Sequence, residues 1–330
     1  MTKKYLIAVA PLVVLSFGCS QKSDVVQLDA NLASIASAPT TEANTELPSQ
    51  SIDVQTEFQS FPKAESGSQS NVQSGQPTTS VTITPPKFDA KGTTVDLTES
   101  IGFVGATEED LVKWRGIKVV RGKGVLTQGA LKTFARCPSL AEFLWLDATL
   151  DSSSMEAFIE LAKASNLKKV RLTGLQLSDT NEIPDFVLKA LSQSPSLVDL
   201  DLSGSPLTAD DLLKSNLTDG FKSLMKLNLY QTQVGDAGVD ALLPLAGRLT
   251  SLNLDDAGVG PDSASKIAKF TKLTFLHVGR SKLDDASVRQ FAGLTRLEKI
   301  HVTRSAVTEA GADELRKALP NCIVVSQPEN

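Results

Sequence analysis

Aliphatic residues recur along the chain in the spacing Leu-x-x-Leu-x-Leu, with another aliphatic residue five positions on. The frame is filled by Leu167, Val170, Leu172 and Leu177, by Leu197, Leu200, Leu202 and Leu207, and by Leu224, Leu227, Leu229 and Val234. It continues at Leu249, Leu252, Leu254 and Val259, at Leu273, Leu276, Val278 and Leu283, and at Leu297, Ile300, Val302 and Val307. Successive starts lie 30, 27, 25, 24 and 24 residues apart, a period that marks an array of equivalent units. Weaker copies flank the array at Val95-Asp96-Leu97 and Ile117-Lys118-Val119 upstream, and at Cys322-Ile323-Val324 downstream.

Alternation with period two predicts a short strand that turns two side chains inward in each unit. The stretch after the strand, such as Asp236 to Leu243, predicts a helix packed behind it. One such unit cannot close its own core, whereas stacked units share one core and one parallel sheet. The frayed copies at both ends fit caps that shield the terminal edges. The repeat domain is expected over 92–326, with a short tail at 327–330. Residues 19–91 are rich in Ser, Thr, Gln and Pro and lack apolar periodicity. They cannot bury enough surface to offset their ordering entropy and are expected to form a disordered tether, with a root-mean-square reach of roughly 45 Å.

The endings Leu-x-Leu-x-x-Ser/Thr-x-Val/Leu, followed by Gly235-Asp236-Ala237-Gly238 or Thr308-Glu309-Ala310-Gly311, resemble leucine-rich-repeat proteins, and among them the ribonuclease-inhibitor-like bacterial subtype. The resemblance implies an α/β solenoid, with a curved parallel β-sheet on the concave face and helices on the convex face. It also implies binding of a protein partner through that sheet. One departure concerns the ladder position after the strand, where many such repeats carry Asn. Here it holds Ser205, Thr232, Ala257, Ser281 and Ser305, and hydroxyls are expected to bond the backbone more weakly. The copy at Leu167 carries Leu175 in that position and an insertion through Asn181-Glu182-Ile183-Pro184.

One register is open. Leu140, Phe143, Trp145 and Leu150 fit the spacing, but Leu144-Trp145-Leu146-Asp147-Ala148-Thr149 also resembles the strand motif with one residue inserted upstream. A slip of one residue reverses every side chain. The second register is favoured because an indole fills a narrow repeat core poorly, and it places Trp145 on the open face.

At the N-terminus, Lys3 and Lys4 precede an apolar run from Leu6 to Leu15 that is too short to span a membrane. It ends in Ser16-Phe17-Gly18-Cys19, which resembles the lipobox of bacterial lipoproteins, although Leu15 lies four residues before the Cys where the family prefers three. The resemblance implies a signal peptide over 1–18 and acylation of Cys19 with palmitate-type chains, which anchor the chain to a membrane at about 0.8 kcal/mol per buried methylene. The alternative is ordinary cleavage nearby that leaves Cys19 a plain thiol. Ser20, by resemblance to lipoprotein sorting, favours the outer membrane or cell surface within the cell envelope.

The formal net charge is −5, which argues against a nucleic-acid partner, since that would call for a basic stripe. Cys137 and Cys322 are expected about seven strand steps apart, roughly 34 Å, and so beyond the reach of a disulfide. Enzyme signatures such as Gly-x-Ser-x-Gly, a Walker loop or His-Glu-x-x-His are missing. No cofactor, small-molecule substrate or catalytic residue is expected.

Side chains between the inward leucines form columns along the open face. The middle column reads Lys118, Trp145, Arg171, Asp201, Asn228, Asn253, His277 and His301. Lys169 and Arg171 beside Asp199 and Asp201 are expected to satisfy each other. The C-terminal half is less self-paired, and Asn228, Tyr230, Asn253, Asp255, Phe275, His277, Arg280, His301 and Arg304, together with Trp145, are the candidate partner-binding residues. Aromatic and Arg side chains dominate interface energies. Two other readings stay open: a structural envelope component without a specific patch, and a metal-dependent site around His277 and His301 with Asp255 as third ligand. The two histidines are also candidates for a pH-sensitive element.

Overall fold

The computed structural model describes residues 85–327, apart from 101–102, 165, 179–182, 184 and 216. The expected leader, Cys19, most of the expected tether, the tail beyond Gln327 and most of the Asn181–Pro184 insertion lie outside the described residues. Ordered elements begin at Lys87, ahead of the expected start at 92.

Twelve strands among the described residues form one sheet. They are β1 (Lys87–Phe88), β2 (Thr94–Asp96), β3 (Val119–Val125), β4 (Glu142–Leu150), β5 (Lys169–Leu172) and β6 (Gln176–Leu177). The array continues with β7 (Asp199–Asp201), β8 (Lys226–Asn228), β9 (Ser251–Asn253), β10 (Phe275–His277), β11 (Lys299–His301) and β12 (Ile323–Val325). All pairings are parallel except β1 with β2. The strand order follows the chain, with β6 set apart beside the end of β4.

The register places Val95, Val120, Phe143, Val170, Leu200, Leu227, Leu252, Leu276, Ile300 and Val324 in one line across the sheet. All of them are buried. From Val170 to Ile300 each is the second aliphatic of its full repeat, so there the spacing read from the sequence is the spacing that fills the interior, whereas in the flanking copy Val120 is inward in place of the expected Val119. Burying one such side chain contributes about 1.5–3 kcal/mol, and no single coil could enclose it. Helices return behind the strands, and polar residues start several of them. Thr127 caps Gln128–Ala135 by accepting from Ala130 N–H, and Thr208 forms a reciprocal capping box with Asp211 at the head of Ala209–Lys214.

Acidic residues in the first helical turn also reach the next coil. Asp236 Oδ1 accepts from Gly260 N–H at 2.7 Å and from the Ser263 hydroxyl. Asp285 accepts from Thr308 N–H and Oγ1, both at 2.7 Å. The Asp of Gly-Asp-Ala-Gly is therefore a staple between neighbouring coils. The ladder hydroxyls are better bonded than expected: Thr232, Ser281 and Ser305 donate to the carbonyls of Leu229, Val278 and Val302 at 2.7, 2.7 and 2.6 Å.

Trp145 requires a correction. It pairs with Leu172 and turns into the core, only 3% exposed, so the register set aside from sequence is the one adopted. Leu144 takes its place in the open column beside Arg171, and Arg121 replaces Lys118 in the same way. Room for the indole comes from the neighbouring strand, where a Cβ on Gly122 would fall 2.2 Å from Trp145 Cζ3. The indole Nε1–H donates to Gly124 O at 2.9 Å, and Phe134 and Phe143 pack at 5.8 and 5.7 Å between ring centroids. The first coils are thus filled by aromatic rings, where later coils use leucine.

The ends are closed differently. At the N-terminal end the short antiparallel β1 covers β2, and Phe88 packs edge-on to Trp114 at 5.4 Å. At the C-terminal end Arg316, from the helix Glu309–Ala318, binds Glu309 and Asp313 and donates from Nη2 to Val324 O at 3.3 Å and Ser326 Oγ at 2.9 Å. Cys137 is buried and Cys322 half-buried, and both thiols are free. Among the described residues no helix is long and apolar enough to cross a membrane.

Candidate binding site on the open face of the sheet

Strand register brings Phe275, His277 and His301 together as expected, because His277 pairs directly with His301 and Phe275 precedes His277 by two residues. The two imidazole centroids lie 4.6 Å apart, and the Phe275 ring is 5.7 Å from His301 and 6.5 Å from His277. Three rings therefore form one aromatic surface on two adjacent strands.

Asp255 ties this surface to the turn region. Its carboxylate was expected on the open face, but its side chain is 6% exposed and lies beneath the cluster. Arg280 Nη2 donates to Asp255 Oδ2, and His277 Nε2 sits 3.6 Å from the same oxygen. The Arg280 guanidinium also lies over the Tyr230 ring, 5.1 Å from its centroid, within cation–π range. Arg280 Nε contacts Asp256 at 3.8 Å. Gly279 makes the close approach possible: a Cβ there would lie 2.8 Å from Asp255 Oδ1, 2.9 Å from Thr303 O and 3.0 Å from His277 Nε2. Burial pushes the His277 imidazole below the usual histidine range. Asp255 opposes that shift, while His301, Arg280 and Lys299 reinforce it.

Asn228 and Asn253 occupy the expected column but have another duty. Asn228 Oδ1 accepts from Tyr230 N–H at 3.1 Å and Asn253 Oδ1 from Asp255 N–H at 3.0 Å. Asp201 does the same for Ser203 N–H at 3.0 Å. A short carboxamide or carboxylate two residues before an amide closes a local turn, so this column fixes where the strand ends. Further along the N-terminal half, Arg171 Nε donates to Asp201 Oδ2 at 2.9 Å, which bears out that part of the expected self-pairing, while Lys169 and Asp199 form no ion pair among the described residues.

A feature the sequence reading missed lies just beyond. The second residue after the last inward side chain of the strand has a left-handed backbone in successive coils: Gly174, Gly204, Gln231, Asp256, Arg280 and Arg304 have φ of 58, 71, 53, 54, 42 and 56°. Glycine accommodates this conformation without strain, while other residues pay about 1–2 kcal/mol. Glycine holds the position in two coils, and Arg280 and Arg304 hold it on the histidine strands. Arg304 is exposed at the rim of the patch.

Among the described residues no group of three or more His, Cys, Asp or Glu side chains is arranged to hold a metal ion. A groove of about 830 Å³ does open elsewhere, among strand-to-helix loops of the central coils. It is lined by Met155, Leu177, Phe186, Thr208, Asp210 and Lys214 among others and shares no residue with the aromatic cluster.

Parallel strands in chain order, one inward aliphatic column and helices returning behind define the class of fold: a leucine-rich-repeat solenoid of mixed α/β type. No protein-family model matches the chain, and no curated protein matches it. Similar solved structures include internalin C2 of Listeria monocytogenes (18% identity, TM-score 0.42, covering 62% of this chain and 84% of that one). A leucine-rich-repeat protein of Leptospira interrogans is similar at 17% identity and TM-score 0.44, over 67% of this chain and 57% of that one. The yeast Rad7 and Elc1 complex contains a chain similar at 18% identity and TM-score 0.45, over 66% and 56%. The fold assignment rests on the strand register and the repeat itself.

Proposed function

We propose that this chain is a recognition module that binds a protein partner through the C-terminal half of its sheet face, and that it is held at the cell envelope by acylation of Cys19. One observation carries the first part. Phe275, His277 and His301 form one surface of rings on strands whose backbone bonds are already met by their neighbours, and in the turns beyond them Arg280 lies over Tyr230 and shares Asp255 with His277. Such a surface is preorganised, so little side-chain ordering remains to oppose association. Its residue types are those that carry most interface energy. Asp255 supports the patch from below, and Trp145 belongs to the core. The sequence pattern ending at Cys19 supports the second part.

The test is capture from envelope extracts with the whole chain and with a Tyr230→Ala, Phe275→Ala, His277→Ala triple variant. The expected result is one partner lost by the variant, at unchanged far-ultraviolet circular dichroism. Equal capture by both proteins refutes the patch. Labelling with an alkyne palmitate analogue tests the anchor: Cys19→Ala is expected to lose the label and leave the membrane fraction.

A further inference from the structure

Two donors face one carboxylate oxygen on the sheet face. Arg280 Nη2 holds Asp255 Oδ2, and His277 Nε2 stands 3.6 Å from it. The groups around His277 come from three coils: Asp255 and Asp256 from the β9 turn, Arg280 from its own turn, and Lys299 and His301 from β11. While the imidazole is neutral, Arg280 has Asp255 to itself and rests over Tyr230. A proton on His277 turns Nε2 into a charged donor aimed at the same oxygen. It also adds positive charge beside Arg280, Lys299 and His301, with Asp255 and Asp256 as the neighbouring carboxylates.

Among these groups Arg280 is the one able to yield. His277 is held by its strand and by the His301 and Phe275 rings, and its side chain is 21% exposed. Arg280 is one-third exposed, its Nε is buried without a hydrogen bond, and its backbone is left-handed. Gly279 leaves no side chain between Asp255 and His277, so the imidazolium can close on the carboxylate without moving the sheet.

We infer that Asp255, His277 and Arg280 form an acid-operated latch: a proton taken up at His277 draws Asp255 from Arg280 to the imidazolium and releases the guanidinium from the Tyr230 ring. The surface offered by the C-terminal coils then differs between neutral and mildly acidic conditions. Any effect on partner affinity rests on the function proposed above, whereas the latch itself does not.

The chain contains two histidines and two tyrosines, so the titration can be read in the full-length protein without a partner. Imidazole Hε1 signals and the fluorine signals of 3-fluorotyrosine-labelled protein are followed by NMR from pH 7 to 5. Assignment uses His277→Gln and Tyr230→Phe. The His277 midpoint is expected below the roughly 6.5 of an unperturbed histidine and is expected to rise in His301→Gln. The Tyr230 fluorine signal is expected to move with the His277 midpoint and to lose that movement in His277→Gln. A stationary Tyr230 signal, a Tyr230 midpoint unlike that of His277 in the unmodified chain, or the same movement in His277→Gln overturns the latch. Partner capture at pH 7.5 tests the recognition reading separately.

Discussion

Replacing Gly122 with Ala asks whether Trp145 is a core residue held by its neighbouring strand. The added methyl would meet three indole carbons, Cζ3, Cη2 and Cε3, at 2.2, 2.4 and 2.5 Å. The ring cannot retreat freely, because Phe134 and Phe143 flank it and its N–H is bonded to Gly124 O. Overpacking of a dense core costs about 1–3 kcal/mol, and a buried N–H pulled off its acceptor costs about 1–3 kcal/mol more. The sum is about 2–6 kcal/mol, read in urea by circular dichroism at 222 nm. At about 2–4 °C per kcal/mol for a domain of this size, the melting temperature falls by about 4–24 °C. Trp145→Leu destabilises alone by leaving a cavity, yet it removes the obstacle to the methyl. The double variant is therefore expected to be no less stable than Trp145→Leu, a coupling of at least about 2 kcal/mol. A Gly122→Ala protein within about 0.5 kcal/mol of the parent, the scale of an ordinary surface change, refutes the buried placement, as does strict additivity in the double variant.

Gln231→Gly, at φ 53° in the line of left-handed residues, is expected to stabilise by about 0.5–1 kcal/mol, the backbone strain less the greater entropy of glycine. Gly204→Ala at φ 71° is expected to destabilise by about 0.5–1 kcal/mol, the same difference with the opposite sign, and urea midpoints check both. Asp236→Ala removes acceptors for Gly260 N–H and the Ser263 hydroxyl and is expected to cost about 2–3 kcal/mol, with Asp236→Asn between it and the parent. Because the His277 pKa is depressed in the folded chain, its neutral form stabilises the fold fully above the unfolded value of about 6.5. That contribution is lost as pH falls through the folded value. Urea midpoints measured from pH 7.5 to 5 should decline less in His277→Gln than in the parent, and parallel declines contradict the shift.

The solenoid was legible because strand alternation and helical return leave a direct mark on spacing. Leu200, Leu227, Leu252 and Leu276 stand where the spacing places them, and so do the histidine and phenylalanine columns above them. Trp145 was misread because its fit depends on an absence in another strand. Gly122 was the signal, and only register across β3 and β4 reveals what it accommodates. Asp255 was read as exposed for a similar reason, since strand direction is set by alternation while the depth of a side chain after the strand is set by its partners. Arg280 and His277 cover that carboxylate, and Gly279 was the mark of their approach. Asn228 and Asn253 looked like interface amides, yet each bonds an amide two residues on, a role encoded in local turn geometry and carried equally by Asp201.

The guanidinium of Arg316 has a consequence for self-association. In β12 the carbonyl of Val324 is bonded by Arg316, so an acceptor that a foreign strand would need is occupied from within. A parallel stack has no intrinsic stopping point, and each finished coil is a template for another. One cation anchored to Glu309 and Asp313 therefore occupies an acceptor at the point where a further rung would begin.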